Sequence, residues 1–416
     1  MEAETSGIFG LSRTLLLNRN IRVLAITGLI SGIYIGMLNV VLQLFPLSLG
    51  FSVAALGVLQ ALGNRFAGVA ATVAQPLAGH YSDVHSRRRT ILLGSAVTIA
   101  SMVCFVGAAV SFNGFLMLVA FVLFGVSVLG GPAAQALVAE SVDLDPRKMD
   151  VAYSTIFFLS TIPGVVTPYM AGAMLDRYGY LAIFAVAALL EGVDLYLYWR
   201  ELYETTHTMI AEGSRGRTFS FREALRLPKA SAGFYGALAM DAFAFGITTS
   251  IIYAMAKKEF GFSGSDIGLL VAVWSLAMLV SQYPSTRILI RLGAKKTIIL
   301  SEALGTLLMA GWAVSNDVPE FAILSVVFGV SVTTWVPGVQ SLMMVHAPAK
   351  ERGGVGGKVA AFRGLVAFPA PIIGGYLYQG FGYEAPVIAS FVMTIATVAL
   401  MFRYLPAVPP QLSSPE

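Results

Sequence analysis

Four charged residues, Arg65, Glu191, Asp241 and Arg363, stand well inside apolar stretches that are each long enough to cross a bilayer. A charge at that depth costs about 3 kcal/mol or more, so each is a candidate for function. Arg65 shares a helical face with Gly68, Thr72 and Gln75, and this polar or small stripe is expected to face a cavity. Its guanidinium could bind an anionic group of a solute, pair with a carboxylate whose protonation drives movement, or lock two helices as a structural ion pair. Asp241 heads a second cavity-like stripe with Phe245 and Thr248. A carboxylate withdrawn from water can take and release a proton, and it can equally be held by hydrogen bonds near helix ends. Glu191, with Asp194 one turn on, reads as a partner-held structural acid that could also serve coupling. Arg363 could meet a solute or snorkel to the membrane surface. Asp194 and Glu302 lie nearer their helix ends and are expected to reach water. Asn39 and Gln43, and Trp335 and Gln340, are uncharged cavity candidates, although such side chains also serve as hydrogen-bonding glue between helices.

The composition says what must position these groups. Of 416 residues, 56% are hydrophobic and 12% charged, and the mean hydropathy is +0.76. Soluble chains carry about 25% charged residues, so this is an all-α, polytopic membrane protein. The formal charge of +4 calls for no nucleic acid, because basic loops on a membrane surface account for it. No Gly-rich phosphate loop is followed by Lys and Ser or Thr. The four histidines show no metal-ligand spacing, and no Ser, His and Asp set is recognisable. We therefore expect a non-enzyme without metal or cofactor. The lone Cys104 excludes an internal disulfide. Met1 to Leu11 lacks the order of a signal peptide, so the first span is expected to stay in the membrane.

Apolar runs of about 20 residues predict twelve helices, over 22–45, 54–80, 90–111, 114–138, 151–174, 180–200, 231–256, 265–287, 297–315, 319–344, 357–378 and 384–403. The polar interval splits them six and six: a bundle over 1–203, a cytoplasmic linker over 204–229 and a second bundle over 230–416. With the N-terminus inside, 22 of the 27 Lys and Arg fall on the inner side and only Arg177, Lys257 and Lys258 on the outer. That asymmetry predicts cytoplasmic termini. The halves also repeat. Gly50-Phe51-Ser52 with Gly57 recurs as Gly261-Phe262-Ser263 with Gly268. Phe124-Gly125-Val126-Ser127-Val128, Pro132 and Gln135 recur as Phe328-Gly329-Val330-Ser331-Val332, Pro337 and Gln340. Pro168, Gly172, Gly179 and Tyr180 recur as Pro371, Gly375, Gly382 and Tyr383. Ordered matches of Gly, Pro and Gln predict two pseudo-symmetric six-helix bundles.

Between the second and third runs stands Gly79-His80-Tyr81-Ser82-Asp83-Val84-His85-Ser86-Arg87-Arg88-Arg89. A Gly, an Asp four residues on and Arg at eight and nine is the pattern of the gating loop between helices two and three of the major facilitator superfamily, which this chain resembles. Val84 and Ser86 depart from it, where a basic residue and Gly are usual. Physically, Gly79 allows close helix approach, Asp83 can cap a helix, and Arg87 and Arg88 anchor the loop on the inner face. Pro163, Gly164, Pro168, Pro369, Pro371, Gly374 and Gly375, in the fifth and eleventh runs, loosely resemble the Gly-Pro-rich fifth helix of the superfamily's antiporters, with Thr167-Pro168 where Gly-Pro is expected, and read as flexure or close-packing points. Proton-coupled exporters of the superfamily often carry an Arg four residues before a Gly in the fourth helix. Phe121 holds that place here, so proton antiport cannot be carried over from the resemblance.

The resemblance implies a secondary active transporter of a small organic solute in the cell (plasma) membrane, in contact with lipid and with no partner chain required. Within that class we expect proton-coupled efflux of amphipathic compounds, since the cavity candidates are mostly aromatic and aliphatic. The coupling ion would be H+, with Asp241 doing more of the work and Arg65 available to assist it. One alternative is an organic-anion transporter built on Arg65 and Arg363. Another, of a different class, is a receptor or scaffold that keeps the fold without moving solute.

Overall fold

The structure is a computed structural model that describes residues 8–65, 67–143, 145–205, 232–346 and 352–406. Most of the expected linker lies outside the described residues. After a short helix, Ile8–Leu15, come α1 (Arg19–Val41), α2a (Val53–Gly63), α2b (Val69–Val84), α3 (Arg87–Ser111), α4a (Gly114–Val126), α4b (Gly130–Ser141) and α5a (Pro146–Thr161). Thr167–Glu201 is interrupted at Gly179, giving α5b (167–178) and α6 (180–201). The second half has α7a (Ala232–Thr249), α7b (Ile252–Phe260), a long stretch Gly264–Val314 interrupted at Gly293 into α8 (264–292) and α9 (294–314), α10 (Val318–His346), α11a (Arg352–Ala367), α11b (Ala370–Phe381) and α12 (Glu384–Tyr404). These make the twelve expected spans. An even number brings both chain ends to one face, called here the terminal face; the other is the distal face.

Side-chain caps start several of these helices. Asn18 accepts hydrogen bonds from the N–H groups of Asn20 and Ile21, and Asn113 from those of Phe115 and Leu116. Ser52 caps α2a, and Ser263 caps α8 in a reciprocal box with Asp266, so the sequence repeat is also a repeat of caps. Glycines end the helices in matching places. Gly50 (φ 81°) pairs with Gly261 (φ 71°), and Gly179 (φ 74°) with Gly382 (φ 85°), all in a backbone region that side chains disfavour.

The second span is not the continuous helix expected from its apolar run. It breaks at residues 64–68, and Arg65 sits in the break rather than on a helical face. Local chemistry favours this. The side chain of Asn64 accepts from the N–H of Ala67 at 3.2 Å, its carbonyl accepts from Gly68 at 2.9 Å, and Asn64 leaves the helix with ψ 128°. Gly63 then passes so close to α4a that a Cβ there would lie 2.2 Å from the carbonyl oxygen of Phe121. The expected flexure points in the fifth and eleventh spans are also breaks: Ile162–Val165 is a 3-10 turn, and α11a gives way to α11b at residues 368–369.

Two symmetric seams join the halves on the distal side. A Cβ on Gly57 (α2a) would lie 2.2 Å from the carbonyl oxygen of Pro371 (α11b), and one on Gly268 (α8) 2.4 Å from that of Pro168 (α5b). Gly172 and Gly375 make the companion contacts, against Gly264 and Ala54. Small residues here let backbones touch. Towards the terminal face, α4b and α10 pack chiefly within their own halves. The molecule is therefore shut on its distal side. Gly268→Val should wedge its seam at a cost of about 1–3 kcal/mol. We expect a lower thermal midpoint in lipid nanodiscs together with greater thiol-reagent access to a cysteine placed at Ser265.

Candidate functional site

Packing of α7a, α9, α10 and α11a gathers the ionisable groups of the second half in one buried place. Arg363 donates from Nη2 to Asp241 Oδ2 at 3.0 Å and from Nε to the Leu238 carbonyl at 3.1 Å. Its guanidinium carbon stands 4.5 Å from the ring centroid of Trp335, a cation–π contact. Glu302, from α9, completes the group: it is 1% exposed and lies near enough to Asp241, Trp335 and Arg363 to act on all three. The indole of Trp335 and the carboxyl of Asp241 are the hydrogen-bonding neighbours of Glu302, although among the described residues none of these contacts closes to full hydrogen-bond geometry. Two carboxyl groups thus share one guanidinium in an interior where an unpaired charge is expensive.

This corrects two expectations. Glu302 does not reach water, because α9 is covered along that face by α10 and α12, and Phe245 of α7a packs on Gly305 one turn on. The Asp241 stripe faces the interior of its own half rather than the space between halves: Thr248 hydrogen-bonds the Pro386 carbonyl at 2.9 Å and Ser390 at 2.7 Å, and Phe245 packs on Gly305.

The first half holds a counterpart. Glu191 and Asp194 on α6 are 3% and 1% exposed, so Asp194 is also dry rather than wetted. Ser95 of α3 donates to Glu191, and Tyr34 of α1 adjoins it. Arg65 acts on the cluster from the break in the second span, with its guanidinium carbon 5.0 Å from the ring centroid of Phe124. Among the described residues it has no carboxylate within ion-pair range. The next part of its predicted stripe does look across the halves, since a Cβ on Gly364 of α11a would fall 2.1 Å from Oγ1 of Thr72.

The remaining candidates separate. Gln43 is engaged at the interface of the halves, donating to the Thr249 carbonyl at 3.0 Å and accepting from the N–H of Tyr253 at 2.9 Å. Asn39 and Gln340 are exposed, apart from either buried cluster. Phe121 is buried in an aromatic core with Phe105, so the place of the exporters' Arg is filled by packing.

In the last turns of α2b, ahead of the short loop to α3, Gly79 has open space beside it among the described residues and makes no close approach. Asp83 does not cap a helix. It pairs with Arg87, while Ser86 caps α3 and Glu204 accepts from the N–H groups of Arg87 and Arg88. Arg87 is the anchor: it is 7% exposed and donates to Glu140 from Nε at 3.1 Å and from Nη2 at 3.0 Å, and to Ser82 at 2.7 Å. Arg88 reaches the carbonyl of Trp199. Arg87→Ala leaves Glu140 half-buried without its partner and should cost about 3 kcal/mol. Arg88→Ala should cost well under half as much, as thermal unfolding of the two purified variants would report.

Sequence reasoning set Glu302 aside although a signal for it exists. Arg88-Arg89-Thr90-Ile91-Leu92-Leu93-Gly94-Ser95-Ala96 aligns with Lys295-Lys296-Thr297-Ile298-Ile299-Leu300-Ser301-Glu302-Ala303, which puts Glu302 opposite Ser95. Ser95 is the residue that holds Glu191. In the first half the acid stands on α6 against this serine, and in the second it stands at the serine's own position on α9.

A model of the Major Facilitator Superfamily matches residues 24–252 and 234–416. The multidrug resistance protein MdtG of Yersinia enterocolitica is 22% identical over 343 residues, covering 80% of this chain and 78% of its own. Among solved structures, the human organic anion transporter MFSD10 (TETRAN) resembles the chain with a TM-score of 0.65 at 16% identity, over 92% of this chain and 99% of that one. The nucleoside transporter NupG does so with 0.68 at 14%, over 92% and 98%. At these identities the structural likenesses speak to the fold.

Proposed function

The chain belongs to the Major Facilitator Superfamily and is a multi-pass membrane transporter of a small molecule rather than an enzyme, and from that premise we propose that it exports amphipathic compounds in exchange for protons. One observation carries the reading: Asp241 and Glu302 stand against the single guanidinium of Arg363. With both carboxyls ionised the cluster has one negative charge too many for a dry interior. A bound proton or a cationic solute supplies the missing positive charge. The two then compete for one vacancy, and that competition is what antiport requires. Trp335, lying on Arg363, offers an aromatic surface to the apolar part of a solute. The name carried by the MdtG relatives agrees with this substrate class.

The loop charges favour a cytoplasmic terminal face in the cell membrane. The closed distal seams would then bar entry from outside, so that an approach to the site would start from the inside, where an exporter loads. Solute-driven proton movement tests the proposal, in proteoliposomes that trap a pH-sensitive dye, with lipophilic cations and organic anions compared. Cation-driven movement that Asp241→Asn stops supports it. Movement driven by anions alone overturns it.

A second reading, transport of an organic anion, has one observation in its favour: Arg65 lies in a helix break with no carboxylate in ion-pair range. Arg363 is less suited, being already engaged by Asp241 and the Leu238 carbonyl. If anions are carried, Arg65→Ala should abolish their transport and Arg363→Lys should weaken it less. On the export reading Arg65→Ala leaves cation-driven proton movement above half of the wild-type rate.

A further inference from the structure

The first half contains a buried acidic cluster that the proposed exchange at Asp241 and Glu302 does not use. Glu191 and Asp194 are three residues apart on α6 and so project from one helical face, against α1 and α3. Both are more than nine-tenths buried. Glu191 receives the hydroxyl of Ser95 and has the Tyr34 hydroxyl beside it, while among the described residues its Oε2, and Oδ1 of Asp194, lack a donor at full hydrogen-bond geometry. The groups facing them can be named from every wall. Tyr34 comes from α1, Arg65 from the break in the second span, Ser95 from α3 and Tyr198, itself met by Thr27 of α1, from α6. Only one of these, Arg65, is a cation, and it is not within ion-pair range of either acid.

We propose that Glu191 and Asp194 form a second proton-binding site, so that each half of the transporter carries one exchangeable proton. The proposal rests on the antiport reading for its role in transport, and on the geometry of α1, α3 and α6 for its existence. Two neighbouring carboxyls, two oxygens without donors and one distant guanidinium leave room for one hydrogen between the acids. A proton on either acid supplies a donor where the cluster lacks one. It also removes the repulsion between them. The arrangement mirrors the second half, which again has two carboxyls to one Arg, although the acids sit on α6 here and on α7a and α9 there.

Infrared difference spectroscopy of the whole transporter in lipid, titrated across the neutral range in light and heavy water, tests this without a known solute. The readout is the carbonyl stretch of protonated carboxyl groups. Wild type should show two exchangeable components. Glu191→Gln and Asp194→Asn should each remove or shift one of them and leave the other, and the surviving component doubles as evidence that the variant is folded. Asp241→Asn and Glu302→Gln should do the converse. If the α6 variants leave the spectrum unchanged while the Asp241 variant alters it, the second site does not exist and the antiport reading stands. If only the α6 variants alter it, this site stands and the exchange at Asp241 and Glu302 falls.

Discussion

Glu302→Gln should uncouple transport while leaving the bundle intact. The Asp241–Arg363 pair remains in the variant, and one carboxylate with one guanidinium is neutral without a proton. Nothing is then left for a proton and a solute to compete over. Each proton that wild type exchanges per cationic solute should contribute about a tenfold solute gradient for each unit of imposed pH difference at zero membrane potential, since one unit corresponds to about 1.4 kcal/mol. The variant should equilibrate solute to equal concentrations on both sides and still exchange labelled for unlabelled solute, though at higher solute concentration than wild type, since a neutral cluster holds a cation less tightly. Accumulation and counterflow measured in the same inverted vesicles separate the two behaviours. Retained uphill accumulation would sink the assignment of Glu302, and lost counterflow would point to damage at the binding surface instead.

Asp176→Ala should open the distal side. Asp176, at the end of α5b, accepts from the N–H of Gly264 and of Ser265 at 2.8 Å each and from the Ser265 hydroxyl at 2.6 Å. It thereby caps the first turn of α8 from the opposite half, a position where a negative charge is favoured. Hydrogen bonds to an ionised group are each worth about 1.5–3 kcal/mol, and exposure at this rim reduces their sum. A net loss of about 2 kcal/mol would move the balance between closed and open forms by about thirtyfold. Spin labels replacing Phe112 and Val314, both exposed at the distal face and one in each half, report the change as a longer and broader distance distribution. Asp176→Asn, which keeps one acceptor oxygen, should fall between. Identical distributions in all three proteins would show that the glycine seams alone hold this side shut.

Much of the architecture was legible beforehand, for physical reasons particular to membranes. Spans must be long and apolar, so twelve could be counted. Gly50, Gly179, Gly261 and Gly382 repeat because each takes a positive φ at a matching turn. Less of the candidate site was legible. Arg65 was placed on a continuous helix because hydropathy is blind to the capping of Ala67 by Asn64. Depth along a helix was mistaken for access to water at Asp194 and Glu302, whereas burial depends on which neighbours cover the face. The stripe from Asp241 to Thr248 was correctly polar and wrongly aimed, because helical periodicity gives a face but not the partner it meets. Asp83 follows the gating-loop pattern, yet its observed partner, Arg87, is a choice among several nearby groups that spacing does not decide.

The engagement of Gln43 has a consequence of its own. The seventh span is split after Thr249, which strands a carbonyl at the end of α7a and an N–H at the start of α7b, and the single amide of Gln43, in the turn after α1, serves both. Any swing that parts α1 from α7 must bare those two backbone groups at a depth where hydrocarbon offers them nothing. Water has to enter as the amide leaves. The Tyr253 amide should therefore be a gauge of hydration, trading its hydrogen for deuterium at the rate at which the transporter turns itself inside out.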